Sequence, residues 1–244
     1  AGIATELQAH GRAQVVPISG ERAVAGGVYV VNGQLVDDRA GTAEVVADLR
    51  GVATLRGRHN AQNAAAAYAT ARATGLDAHT AAGAIASFPG LAHRQEIAGT
   101  RAGVTFVNDS KATNDEAALR ALAAFDEIYW IAGGQPKDDG LAATRPGWGN
   151  VRRAFLIGEA AETFRTTLAD HLPAEICGDL DTAVAAAFKR AREEGARAPV
   201  VLLSPACASF DQYADFAARG DAFKRAVAAL AGETDRDLGA GGAA

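Results

Sequence analysis

Apolar and polar positions alternate differently in two stretches of the chain. Along residues 1–56 the apolar positions come in short runs parted by polar turns, the pattern of a β-meander. Ile3 to His10 reads as a short helix and Gln14–Ile18 as a strand. The segment Gly27-Val-Tyr-Val-Val-Asn-Gly-Gln-Leu-Val36 predicts a hairpin that turns at Asn32-Gly33, because that dipeptide accepts the positive φ of a tight turn. Val45–Leu49 is one more strand. So small a meander does not bury enough surface to stand alone, so it is expected to complete a sheet that begins upstream.

From Gly57 helical spacing takes over and alternates with short apolar runs. Arg58–Thr74 is an alanine-rich helix stopped by Gly75, and Ala78–Phe88 a second one ended by Pro89. Glu96–Thr100 and Val104–Asn108 flank a tight turn and predict a hairpin. Helices are expected at Asp115–Phe125, Glu159–His171, Asp181–Glu194 and Phe223–Ala231, with strands at Ile128–Ala132, Ala154–Ile157 and Val200–Leu203. Wholly apolar strands set between helices are buried on both sides, as in a parallel sheet covered by helices. The fold class predicted is α/β: a Rossmann-like, mostly parallel sheet with helices on both faces, preceded by a small β-rich unit. The glycine-rich end after Glu233 is expected to be flexible.

Composition narrows the function classes. At 244 residues and 49% hydrophobic content the chain can bury a core, and its net charge of −5 disfavours nucleic-acid and polybasic membrane partners. No apolar run is long enough to span a bilayer, and no secretion signal opens the chain, so a soluble cytoplasmic protein is expected; a monomer is expected as well. Cys177 and Cys207 stand far apart in no CxxC motif and are expected to be reduced thiols. The histidines are scattered without ligand spacing, so no metal site built by this chain is expected.

In open α/β sheets ligands bind beyond the carboxyl ends of the strands. Three predicted strands run there into unusual loops: Asn108-Asp-Ser-Lys-Ala-Thr-Asn114, Gly133-Gly-Gln-Pro-Lys137, and Ser204-Pro-Ala-Cys-Ala-Ser209. Parallel strands would bring Lys111, Thr113, Lys137 and Ser209 to one edge, where ammonium and hydroxyl groups suit a small anion with several carboxylates or phosphates. Each residue also has a plainer role open to it. Asp109 or Asn114 could cap the next helix, Gly133-Gly134 could be only a turn, Lys137 a solvated lysine, Ser209 a cap. Asn60 and Asn63, three apart at a helix start, suit an adenine or phosphate contact. Arg94 on the Leu91–Arg94 loop suits a phosphate equally with a surface ion pair to Glu96.

Gly57-Arg-His-Asn-Ala-Gln-Asn63, Leu91-Ala-His-Arg94, Asn108–Asn114, Gly133–Lys137 and Ser204-Pro-Ala-Cys-Ala-Ser-Phe-Asp-Gln212, in this order, resemble the C-terminal domain of the Mur ligases, and specifically their D-glutamate-adding branch. The resemblance runs from Gly57 to Leu230, and residues 1–50 resemble the end of the family's central ATPase domain. It implies domains at 1–56, a remnant of that central domain, and 57–232, with a tail at 233–244. It also implies an ATP-dependent amide ligation in peptidoglycan synthesis. UDP-N-acetylmuramoyl-L-alanine is activated as an acyl phosphate and then attacked by the amine of D-glutamate. By the same resemblance Asn60 and Asn63 contact the adenine region, Arg94 the ATP phosphates and Asp109 the ribose. Lys111 has the catalytic role, while Thr113, Lys137, Ser209 and the backbone around Phe216 hold D-glutamate.

Two departures qualify this. No lysine of the chain follows a glycine, so the phosphate loop G-x-x-x-x-G-K-[ST] is missing, with the Mg2+ ligands and the UDP-binding domain. The chain is therefore expected to be a portion of a longer ligase and inactive by itself. Asp138 also follows Lys137 where the family has glycine. A stand-alone module that binds an acidic amino acid is the alternative. A nicotinamide-dependent dehydrogenase is disfavoured because no strand leads into G-x-G-x-x-G.

Overall fold

A computed structural model describes residues 15–137 and 140–230. The helix expected over Ile3–His10, the start of the strand at Gln14, Asp138 and the segment after Glu233 lie outside the described residues.

The chain divides into two compact units between Pro89 and Gly90. In the first, strands β1 (Ile18–Ser19), β2 (Val28–Val31), β3 (Gln34–Asp37) and β4 (Glu44–Asp48) form a sheet in that order, β1 parallel to β2 and the rest antiparallel. The β2–β3 hairpin turns at Asn32 and Gly33, at φ of 50° and 76°, as the dipeptide predicts. Helices α1 (Arg58–Ala73) and α2 (Ala78–Ala86) pack on this sheet. Ala64, Ala65, Tyr68 and Ala69 form the buried face of α1, and alanines there let helix and sheet approach closely. This pairing corrects the boundary expected at residues 56 and 57: the helices after Gly57 complete the small unit rather than opening the larger one.

The second unit holds a six-stranded sheet in the order β5 (Glu96–Arg101), β6 (Val104–Asn108), β10 (Val200–Leu203), β7 (Ile128–Gly133), β8 (Val151–Ile157), β9 (Ala174–Gly178). All neighbours are parallel except the antiparallel β5–β6 hairpin. Every residue of β7 is buried. Ile128, Trp130 and Ala132 enter one core with α3 (Asp115–Leu122) and α4 (Ala161–Leu168); Tyr129 and Ile131 enter the other with α5 (Leu180–Glu193) and α6 (Phe216–Ala229). An uninterrupted apolar strand is thus explained by helices on both faces.

Two elements differ from the expectation. β9 is a half-exposed edge strand whose Ala174-Glu-Ile-Cys-Gly178 shows no strong pattern. α6 begins at Phe216, seven residues before the helix expected at Phe223, with the Asp215 side chain accepting from the Ala218 amide as its cap.

Candidate functional site

The carboxyl ends of β6, β10, β7 and β8 form one edge of the sheet, and their loops are joined by specific bonds. At the end of β6, fully buried Asn108 donates to the Glu96 carboxylate at 3.0 Å and to the Gly220 carbonyl at 3.2 Å, and accepts from the Ser110 amide. The Ser110 hydroxyl donates to the carbonyl of Phe216, the first residue of α6, at 2.8 Å. Lys111 then places its Nζ 3.8 Å from the centre of the Phe216 ring. The β6 loop is therefore tied to the N-terminus of α6, where free amides and the helix dipole favour an anion.

The loop after β10 is held to that after β7. Gln135 and Ala208 exchange backbone bonds of 3.0 and 3.1 Å, an isolated bridge between the loops. Gly133 and Gly134 have φ of 121° and 129°, and a Cβ would stand 2.0 Å from the Ile157 carbonyl oxygen and 2.4 Å from that of Ala208. Glycine is required at both by conformation and by space. Lys137, exposed two residues past Gln135, stands near enough to Cys207 for its charge to oppose the burial that pushes that thiol up to about 12. Such a thiol is inert at neutral pH. The loop after β8 joins through Asp211, which accepts from the Glu159 amide at 3.0 Å.

In the middle stands Arg219, which the sequence reading passed over. It is 1% exposed and bonds to loops after β6 and β10 alike. The signal was its spacing: Arg219, Phe223 and Val227 recur every four residues on the buried face of α6.

The expected residues fare differently. The loops of Lys111, Thr113, Lys137 and Ser209 do come to a single edge. Ser209 is only 2% exposed, and its carbonyl accepts from the Gln212 and Tyr213 amides, so it also anchors a turn. Asn114, not Asp109, caps α3, accepting from the Ala117 amide. Asp109 faces inward at 7% exposure, with one oxygen taking the Gln95 amide at 3.2 Å and the other the Ser204 hydroxyl at 2.9 Å. Burial raises its pKa to about 7 against the opposing pull of these bonds and of Arg94. Arg94 is exposed between two left-handed residues, His93 at φ 62° and Gln95 at φ 47°. The ion pair weighed for it is not formed: Glu96 instead takes the His93 amide, Asn108 and Lys224. Asn60 and Asn63 belong to the first unit, where Asn60 donates to the Arg56 carbonyl and stands 3.5 Å from Asn63. No group of three or more His, Cys, Asp or Glu side chains among the described residues could hold a metal ion. No helix among them is long and apolar enough to cross a membrane.

Comparison with known proteins gives this edge a lineage. Residues 93–207 match the family described as Mur ligase, glutamate ligase domain. The chain is 51% identical over 228 residues to a UDP-N-acetylmuramoylalanine--D-glutamate ligase of Caulobacter sp. (strain K31), covering 93% of this chain and 48% of that protein. It is 52% identical over 221 residues to the enzyme of that name from Rhizobium etli, covering 91% of this chain and 47% of the relative. The chain therefore spans about half the length of the curated relatives it matches. Among solved structures, the UDP-N-acetylmuramate-alanine ligase MurC of Thermotoga maritima superposes with a TM-score of 0.50 at 17% identity, over 71% of this chain and 39% of that one. That likeness concerns the fold. The stretch that matches the glutamate ligase domain of the Mur ligases, residues 93–207, carries the β6 and β7 loops and the start of the β10 loop.

Proposed function

We propose that this chain is the D-glutamate-binding portion of an ATP-dependent ligase that joins D-glutamate to UDP-N-acetylmuramoyl-L-alanine during peptidoglycan synthesis, acting in the cytoplasm as a monomer. The observation that carries the reading is the shared edge: Lys111, on a loop fastened to the N-terminus of α6, and Lys137, on a loop fastened to that after β10, offer positive charge to a compact dianion. The names of the relatives supply the chemical class.

In this reading Lys111 and Lys137 take the two carboxylates, with Thr113 and Ser209 adding hydroxyl donors and the first amides of α6 around Phe216 closing the site. Lys111, steadied over the Phe216 ring, stands nearest the reacting amine and carboxyl. The residues fit a nucleotide in part. In the second unit Arg94 is exposed on a constrained loop and free of Glu96, which suits a phosphate; in the first, Asn63 is exposed at a helix start beside Asn60, whose own amide donates to the Arg56 carbonyl. Asp109 is fitted less to a ribose than to tying the Arg94 loop to β10, since both its oxygens are engaged inside. ATP, when bound, supplies the phosphoryl group that activates the muramoyl substrate as an acyl phosphate. The first unit is read as the end of the central ATP-binding domain. The Mg2+ ligands are expected in the part of the ligase that this chain does not carry.

The test is a chimaera in which this chain replaces the matching half of the Caulobacter relative. Phosphate release from ATP should then require both D-glutamate and UDP-N-acetylmuramoyl-L-alanine. Release stimulated by another amino acid but not by D-glutamate would refute the substrate. Turnover by the chain alone would refute its proposed inactivity. Tight D-glutamate binding by the chain with an inert chimaera would favour a stand-alone binding module.

A further inference from the structure

Arg219 is a cation enclosed at 1% exposure, and each of its hydrogen bonds goes to a neutral oxygen. Nε donates to the Ser110 hydroxyl at 3.0 Å, Nη2 to the carbonyls of Ser110 and Cys207 at 3.0 Å each, and Nη1 to the carbonyl of Ala208 at 3.1 Å. Burying a guanidinium with no carboxylate bonded to it, only the charge of Asp211 acting from farther off, is costly, and an apolar side chain would fill the same space on α6 without that cost. Burial does push its pKa down, to about 10, which still leaves it charged near neutrality. What the guanidinium gives in return is geometry, because its planar fork holds several acceptors at fixed angles at once.

Those acceptors are the residues next to the proposed substrate ligands. Ser110 precedes Lys111, and Ala208 precedes Ser209. Ala208 is paired with Gln135, two residues before Lys137. The approach depends on a missing side chain as well: a Cβ on Gly134 would stand 3.0 Å from Nη1.

Resting on the reading of this edge as a D-glutamate site, we propose that Arg219 is a positioning residue that fixes the separation of Lys111 and Lys137 without touching the substrate. Its removal loosens three loops together, and a dianion that needs both lysines at one spacing binds more weakly.

The experiment uses the chain as it is, comparing Arg219→Gln and Arg219→Lys by amide hydrogen exchange and D-glutamate titration. Arg219→Gln should raise exchange at 109–113, 134–137 and 205–209 together, leave β7 and β8 protected, and weaken D-glutamate binding at least tenfold. Arg219→Lys should recover part of both effects, since it keeps the charge and reaches fewer of the acceptors. Phe223→Leu, one turn along the same face, lowers stability without loosening the loops, which separates positioning from mere destabilisation. Native exchange at the three loops in Arg219→Lys and Arg219→Gln, or equal loosening in Phe223→Leu, would overturn the inference. Should Arg219→Gln fail to fold, Arg219→Lys alone decides it by the same loops. A native chain that does not bind D-glutamate, while its loops still follow Arg219, sinks the substrate reading and leaves the strut standing.

Discussion

Asp109 makes a measurable difference to stability because the fold changes when it ionises. Its pKa rises from 3.8 in the unfolded chain to about 7 in the fold, so between these values the folded state holds more protons. The stabilisation this brings is complete below the lower value and is lost as pH climbs through about 7. At about 1.36 kcal/mol per unit, the loss is roughly 4 kcal/mol at most. Urea unfolding from pH 4 to 8 should show stability falling over that window, and Asp109→Asn should flatten the fall; an equal slope in the variant would clear Asp109 of the effect. Lys137 makes the second case. In the chimaera, Lys137→Ala should raise KM for D-glutamate at least tenfold and that for ATP far less, and equal rises would mean that the lysine serves both or neither. For Ser209→Ala the expected loss is about 1.5 kcal/mol, roughly a tenfold rise, in line with one hydrogen bond to a charged group. At this scale the place of the two lysines at one sheet edge was legible, since a cation just past an apolar strand stands out against its neighbours. Arg219 was not, because arginine is so seldom enclosed that composition gives no hint of it.

The elements were read most easily where burial left the sequence no choice. Val200–Leu203 coincides with β10, and Ile128–Ala132 falls one residue short of β7. Both lie between helical layers and must be apolar throughout. β9 escaped notice because an edge strand with one open side carries less of that constraint. The first two turns of α6 were missed because Gly220 and Asp221 interrupt its apolar rhythm. The glycine is there for packing: a Cβ would stand 2.2 Å from Nδ1 of His93, so the helix gives up propensity to admit the Arg94 loop. Asp215, three residues ahead of Ala218, was the mark of the true start. Asp215→Ala should cost about 1 kcal/mol in denaturant unfolding and fray the turn that carries Phe216. Unchanged stability would mean that the cap is redundant.

The molecule as a whole consists of two units, each with its own core, and the larger should survive alone. A protein cut to residues 90–244 is expected to unfold cooperatively at the urea midpoint that the full chain shows for this unit; a broad transition would show that it depends on residues 1–89. The general architecture was legible from alternating helices and strands, but the division after Pro89 was not. Nothing in the composition of α1 tells which sheet its alanine face will cover. The strand order carries a last consequence. β10 is inserted between β6 and β7 although it is made nearly a hundred residues after β6. During synthesis the sheet cannot close until Val200–Leu203 has left the ribosome, and until then two half-sheets wait with bare edges towards each other. A premature stop before Val200 would thus yield no smaller version of the domain, only a sticky nascent polypeptide in need of a chaperone.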